Sequence, residues 1–264
     1  IAAGHIWKFI TLAYIPPTIA GIVLAYRKKY LLGAIVTALF IALQIQSNHV
    51  QMSYYFLFVI LFMVGAFFEE AWRKKELPHF FKASAILVVA ALIGVSTNLS
   101  NLYHTYEYSK ETMRGKSELV HEGPKAEQTS SGLDRDYITQ WSYGIGETLS
   151  LFVPNVRGGA SVPLSENKAA MEKANPMYNG LYSQITQYFG DQPMTSGPVY
   201  VGAFVMALFI LGCFIVKGPM KWALLGATLF SILLSWGKNF MPLTDFFIDY
   251  IPMYNKFRAV SSLL

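Results

Sequence analysis

The sequence predicts an all-α polytopic membrane protein with one sizeable, mixed extracytoplasmic segment between its fourth and fifth spans. Three observations carry that prediction. Of 264 residues, 53% are hydrophobic and only 14% charged, against about 25% charged in a typical soluble domain. The charges are unevenly placed: residues 99–196 hold 19 of the 37 Asp, Glu, Lys and Arg side chains, 11 acidic and 8 basic. The other 166 residues hold 18, gathered in short runs between apolar stretches of bilayer-spanning length. The pattern excludes an ordinary soluble enzyme, a disordered chain and a nucleic-acid binder with one basic face. The bilayer is an expected partner; nucleic acid is not.

A hydrocarbon core of roughly 30 Å takes about 20 apolar residues per helix, and six segments meet that length. The first, Ile6–Tyr26, contains Pro16-Pro17. In lipid this predicts a kink and not a stop, because neighbouring helices and local tightening satisfy the freed carbonyls. The second and third, Leu31–His49 and Met52–Phe68, flank a tight turn. Phe81–Thr97, Pro198–Val216 and Met220–Trp236 follow, and a seventh begins near Ala259.

Basic residues near span ends set orientation. One set of connections carries Arg27, Lys28, Lys29, Arg73, Lys74, Lys75, Lys82, Lys217 and Lys221, and the other only Lys8, Lys238, Lys256 and Arg258. The richer set is expected in the cytoplasm, which puts residues 99–196 outside. The expected organisation is four spans over 1–98, an extracytoplasmic segment over 99–196, and two spans with the start of another over 197–264.

Within the outer segment, Leu102–Met113 has helical spacing, whereas residues 114–132 are polar and rich in Gly and Ser, as in a mobile loop. Aromatic and apolar residues from Tyr137 to Val153 supply a small core, turns recur over 154–163, and Tyr178–Phe189 is amphipathic. The one cysteine, Cys213, closes no disulfide within the chain. The opening at Ile1 and the apolar ending Ser261-Ser262-Leu263-Leu264 read as an internal piece of a longer protein, with no signal peptide in view.

Polar side chains at membrane depth are costly unless they face water or one another, and here they gather on the outer side. His5 opens the first span; Gln44, Gln46, Ser47, Asn48, His49 and Gln51 surround the turn between the second and third; Lys256 and Arg258 introduce the last. Their convergence predicts a site at the outer interface. Each also has a plainer reading. His49 reads first as a hairpin cap, the glutamines as interhelical hydrogen-bonders, and Glu107 and Glu111 with Lys110 and Arg114 as a solvated ion network. Arg258 is harder to dismiss, because a guanidinium grips a phosphate with two parallel hydrogen bonds. Glu147, after Gly144 and Gly146 and ahead of an apolar run, is either a carboxylate with a raised pKa or a helix-start charge. Asp191 reads as a turn residue, and Asn98-Leu99-Ser100 matches a glycosylation acceptor. No P-loop, His-Glu-x-x-His, paired-cysteine or Gly-x-Ser-x-Gly motif occurs, and no metal ligand set is visible.

Several motifs, in one order along the chain, resemble the bacterial YfhO-type membrane proteins. They are Gly4-His5-Ile6-Trp7-Lys8-Phe9, Ser47 to Tyr55, Tyr143 to Thr148 followed by Pro154-Asn155 and Gly158-Gly159, Phe189 to Pro193 with Gly197 to Gly202, and Pro252 to Arg258. The resemblance implies a GT-C-like helical bundle in the bacterial inner (cytoplasmic) membrane. It implies a glycosyltransferase taking sugar from a polyprenyl-phosphate lipid to an envelope glycopolymer or lipid on the outer face. Arg258 is then the first candidate for the phosphate and Lys256 the second, with His49, His5, Asn48 and Gln51 lining the substrate. In such enzymes a carboxylate of the first external loop works on the acceptor, sometimes with a divalent metal. That loop is expected upstream of Ile1, so Glu147 stands in as the catalytic candidate. No cofactor is evident from the residues. Two further readings stay open: a transporter or flippase for lipid-linked glycan, and a non-catalytic scaffold of the same architecture.

Overall fold

The computed structural model describes residues 6–112, 132–195, 197 and 199–258. The seventh predicted span, His5, and nearly all of the predicted 114–132 loop lie outside them. In chain order the helices are α1 (Ile6–Ala13), α2 (Ile15–Tyr26), α3 (Tyr30–Gln46), α4 (Val50–Lys74), α5 (Leu77–Ser96), α6 (Leu99–Lys110) and α7 (Arg135–Thr139). They are followed by β1 (Gly158–Pro163), α8 (Lys168–Met171), α9 (Asn179–Tyr182), β2 (Thr186–Tyr188), α10 (Ala203–Ile215), α11 (Pro219–Ser235) and α12 (Met241–Tyr250). Two compact units result: unit 1 is Ile1–Val120 with Val216–Phe230, and unit 2 is His121–Ile215 with Ser231–Leu264.

Three helical stretches are long and apolar enough to cross a bilayer: Ile6–Tyr26, Val50–Lys74 and Leu77–Ser96, of 21, 25 and 20 residues. A fourth arises if α11 and the segment Gly237–Tyr250, bent by 109° at their junction, count together; α3 and α10 are apolar but shorter. On α3 and α5, Leu31, Ile35, Val88, Val89 and Leu92 are each more than half exposed. An apolar face of that extent belongs in lipid. The protein is an all-α, membrane-embedded chain, with one two-stranded ribbon among its described residues.

Each predicted span in the described residues coincides with a helix, and the differences have local causes. Pro16 and Pro17 sit in the first turn of α2, where a missing N–H breaks no helical bond. The expected kink is therefore a one-residue break at Tyr14, whose carbonyl accepts from the Thr18 amide at 3.2 Å and the Thr18 hydroxyl at 2.8 Å. Helix α3 stops at Gln46 because Asn48 turns into the left-handed region at φ +56°, which asparagine tolerates better than most residues. Helix α4 runs six residues past the predicted Phe68. Its last turns are supported by i,i+4 pairs, Glu69 with Arg73 and Glu70 with Lys74, before a left-handed Lys75 caps it. Helix α10 starts only at Ala203, after Gly202 at φ +100°.

Glycines fix how unit 1 packs. A Cβ on Gly33 would lie 2.6 Å from the Ala25 nitrogen and 2.8 Å from the Gly21 carbonyl oxygen; one on Gly21 would lie 2.8 Å from the Thr37 nitrogen. On Gly94 it would meet the Ala38 carbonyl oxygen at 2.7 Å. Helices α2, α3 and α5 thus touch backbone to backbone, the small-residue packing that replaces the hydrophobic effect inside lipid. Larger rings fill the wider gaps: Phe58 and Phe62 pack against Phe230, each with centroids 5.6 Å apart.

The basic turns of unit 1 are tied together. Lys28 meets Glu76 at 2.9 Å. His79 Nε2 lies 2.8 Å from the Tyr26 carbonyl oxygen and Nδ1 2.6 Å from the Tyr30 hydroxyl. Beside them is a cavity of about 580 Å³, lined among others by Arg27, Lys28, Glu70, Lys74, Glu76 and His79. The Lys28 ammonium holds the Glu76 carboxyl below the usual carboxylate range. A carboxyl depressed in the folded state adds stability above its unfolded pKa and loses it as pH falls through the folded one. Carbon-detected NMR titration of Glu76 is therefore expected to show a midpoint below that of a model glutamate. In Lys28→Met the midpoint should rise, and an unchanged midpoint would refute the pairing.

Unit 2 has its own small core, with Leu133, Ile138, Tyr143, Leu234 and Tyr254 almost wholly buried. Strands β1 and β2 pair antiparallel, with Gly158 opposite Tyr188. A Cβ at Gly158, which has φ +80°, would strike the Gln187 carbonyl oxygen at 1.9 Å, so only glycine fits there. The predicted amphipathic stretch Tyr178–Phe189 resolves into the single turn α9 and strand β2.

Candidate functional site

The sequence-predicted residues fall into three local groups. In unit 1, Asn48, His49 and Gln51 share the α3–α4 turn. Ser47 closes α3 by donating to the Gln44 carbonyl at 2.6 Å, and its hydroxyl also meets that of Thr11. His49 is the residue preceding α4, and its side chain makes no capping bond to that helix. Gln51 donates to the Tyr55 hydroxyl at 3.2 Å. Gln44 is 3% exposed, and its amide nitrogen has no hydrogen-bond partner among the described residues. Asn98 donates to the Ala42 carbonyl at 3.1 Å, so the side chain of the glycosylation-like tripeptide holds α3 to the end of α5.

The second group surrounds Arg258 in unit 2. Asp134 starts α7 by accepting from the Asp136 and Tyr137 amides at 2.9 and 3.2 Å. That short helix buries Ile138 and Thr139 and carries Tyr137 four residues before Trp141. The loop after it is sewn to the end of α11. Tyr143 N–H donates to the Ser235 carbonyl at 2.8 Å, Lys238 N–H to the Ser142 hydroxyl at 2.8 Å, and Trp236 Nε1–H to the Thr148 hydroxyl at 2.8 Å. Phe257 and Tyr254 are buried, and the Arg258 guanidinium carbon lies 5.1 Å from the Tyr137 ring centre and 5.2 Å from that of Trp141. The guanidinium also donates to the Tyr137 hydroxyl. Cation and rings attract through the ring quadrupole, giving an exposed, fixed positive charge flanked by two aromatic faces. Lys256, two residues earlier, is partly buried, and desolvation pushes its ammonium pKa down. On the same helix α7, Arg135 forks onto Asp245 and, at 2.6 Å, Asp249. The two carboxylates hold its pKa up.

The third group is built on Glu147. Its side chain is 1% exposed and accepts from the Tyr188 hydroxyl at 2.7 Å, the Gln192 amide at 3.2 Å and the Gly144 N–H at 3.1 Å. Burial and the Glu147 carboxylate push the Tyr188 phenol well above its usual range. A Cβ on Gly144 would sit 2.5 Å from the Asp191 carboxylate, so the glycine allows that close approach. The arrangement knits the Tyr143–Leu151 loop to the Tyr188–Gln192 turn. A general base needs an oxygen open to the hydroxyl it serves, and this carboxylate is enclosed.

Tyr137 and Trp141, read from sequence as core aromatics, are the neighbours of Arg258; their i,i+4 spacing was the available signal. Among the described residues no three His, Cys, Asp or Glu side chains group as they would around a metal ion. Compared with family models, curated proteins and solved structures, the chain matches none.

Proposed function

We propose that this chain is part of a GT-C-type membrane glycosyltransferase of the YfhO kind, moving a sugar from a polyprenyl-phosphate lipid to an envelope glycopolymer or lipid on the outer face of a bacterial cytoplasmic membrane. The observation that carries the reading is the Arg258 guanidinium fixed over Tyr137 and Trp141. A planar cation suits a phosphate diester, and aromatic faces suit the C–H surface of a sugar. Lys256 is the second cation of that group. Asn48, His49 and Gln51 of the α3–α4 turn, with His5, are the substrate-binding candidates in unit 1, and they are tested separately from Arg258. Glu147 serves this reading by holding the loop that follows Trp141.

The test is sugar transfer from a radiolabelled polyprenyl-phosphate sugar by the full protein in proteoliposomes. Arg258→Ala and His49→Ala should each abolish transfer at unchanged protein level, and Arg258→Lys should recover only a minor part. Full activity in both alanine variants removes the proposed site. A flippase reading has one observation in its favour, the polar cavity at the basic end of unit 1, since a transporter needs polar groups on both sides. It requires lipid-linked sugar to cross the proteoliposome membrane with no acceptor present.

A further inference from the structure

Among the described residues, one arginine or lysine lining the cavity at the basic end of unit 1 has no ion pair. Three strong cations line that cavity. Lys28 is paired with Glu76 at 2.9 Å and Lys74 with Glu70 at 2.5 Å. The third, Arg27, has no ion pair or side-chain hydrogen bond among the described residues. His79 is engaged through both ring nitrogens, Nε2 with the Tyr26 carbonyl and Nδ1 with the Tyr30 hydroxyl, and so leaves no ring nitrogen open to the cavity. The rest of the lining is apolar or aromatic. Val23, Phe67, Ala71, Phe80 and Met220 form it with Tyr26, whose ring is stacked 4.2 Å from Phe67 and 5.6 Å from Phe80.

A lone guanidinium lining the same cavity as aromatic and aliphatic side chains complements an anion with an apolar body. The lining comes from the end of α2, the end of α4, the start of α5 and the start of α11, the level at which helix ends meet lipid headgroups. We propose that this cavity binds a phosphate ester, with the Arg27 guanidinium on the phosphate oxygens in the two-bond geometry that arginine favours and the ester's carbon chain along Phe67, Phe80 and Val23. The ester is either the headgroup of an acidic phospholipid in that leaflet or a soluble organic phosphate. The inference is independent of the chemistry assigned to Arg258.

The test is native mass spectrometry of the full chain incubated with phosphatidic acid or with phosphatidylcholine of the same acyl chains. Wild type should retain phosphatidic acid roughly tenfold more strongly, as expected for one charge-assisted pair of hydrogen bonds. Arg27→Gln should lose that preference and Arg27→Lys keep part of it. Lys29→Gln, which removes the same charge from the same turn but does not line the cavity, should behave as wild type. Glycerol 3-phosphate displacing the lipid would assign the site to a soluble ester; failure to displace would assign it to the headgroup. Equal retention of the two lipids by wild type overturns the proposal, as does a loss in Lys29→Gln equal to that in Arg27→Gln. Should Arg27→Gln fail to fold, the lipid preference of wild type and the behaviour of Lys29→Gln still decide.

Discussion

Gly33→Leu is expected to be the most damaging single change in unit 1. Even the first carbon of the new side chain would stand 2.6 Å from the Ala25 nitrogen and 2.8 Å from the Gly21 carbonyl oxygen. Those atoms are backbone and have no rotamer to change, so α2 and α3 must separate. Separation forfeits the dispersion contact between them, and in lipid no hydrophobic gain replaces it. Overpacking a tight contact costs roughly 1–3 kcal/mol, and a leucine against backbone should reach about the top of that range. Unfolding by dodecyl sulfate titration in mixed micelles gives the measurement. The control is Gly65→Ala in the middle of α4, whose new carbon meets nothing within 4 Å and which gains helix propensity. Equal stability of Gly33→Leu and wild type would mean that α2 and α3 do not touch at this point.

Glu147→Ala should have the largest effect in unit 2. It leaves the Tyr188 hydroxyl, the Gln192 amide and the Gly144 N–H without their acceptor in a site that is 1% exposed. A buried donor stripped of its acceptor costs about 1–3 kcal/mol. The three share one network, so their losses do not simply add, and a total of about 3 kcal/mol is expected. Glu147→Gln keeps one acceptor oxygen for Tyr188 and Gln192 but turns an N–H toward that of Gly144, so an intermediate loss is expected. Limited proteolysis followed by mass spectrometry reads the effect directly: cleavage between Tyr143 and Gln192 should accelerate strongly in Glu147→Ala and modestly in Glu147→Gln. A proteolysis rate like that of wild type in the alanine variant would show that the carboxylate does not hold this loop.

Hydropathy located the helices well because lipid solvation acts on every residue of a span, and length and apolarity are both written locally. It overran where a single dihedral decides, as at Asn48 after α3 and Gly202 before α10. Helix α12 escaped notice altogether. Asp245 and Asp249 interrupt its apolar residues, and only the distant partner Arg135 gives them a place. The glycine contacts of α2, α3 and α5 were present as Gly21, Gly33 and Gly94, but one sequence does not say which small residues face each other. The site was legible as residue types and not as groupings. Arg258 stood out for its charge, whereas its neighbours Tyr137 and Trp141 lie more than a hundred residues earlier. Glu147 was noticed for its glycines, and its enclosure by Tyr188 and Gln192 depends on a turn some forty residues on. On the basic end of unit 1 the lysines and arginines read as anchors, and no local signal marked Arg27 as the cation left over.

Arg135 and its two aspartates have a consequence for biogenesis. The partners are separated by 110 and 114 positions, and Leu133 likewise waits for the Asn255 carbonyl. During synthesis, the helices α1 to α5 complete their mutual contacts from adjacent sequence, whereas α7 stays without its counterparts until the ribosome has delivered α12. Long-range closures of this kind are slow and leave sticky intermediates exposed. Chaperone and protease surveillance of this protein should therefore act on its later half, and a truncation just before Asp245 should yield a membrane-inserted but quickly degraded product.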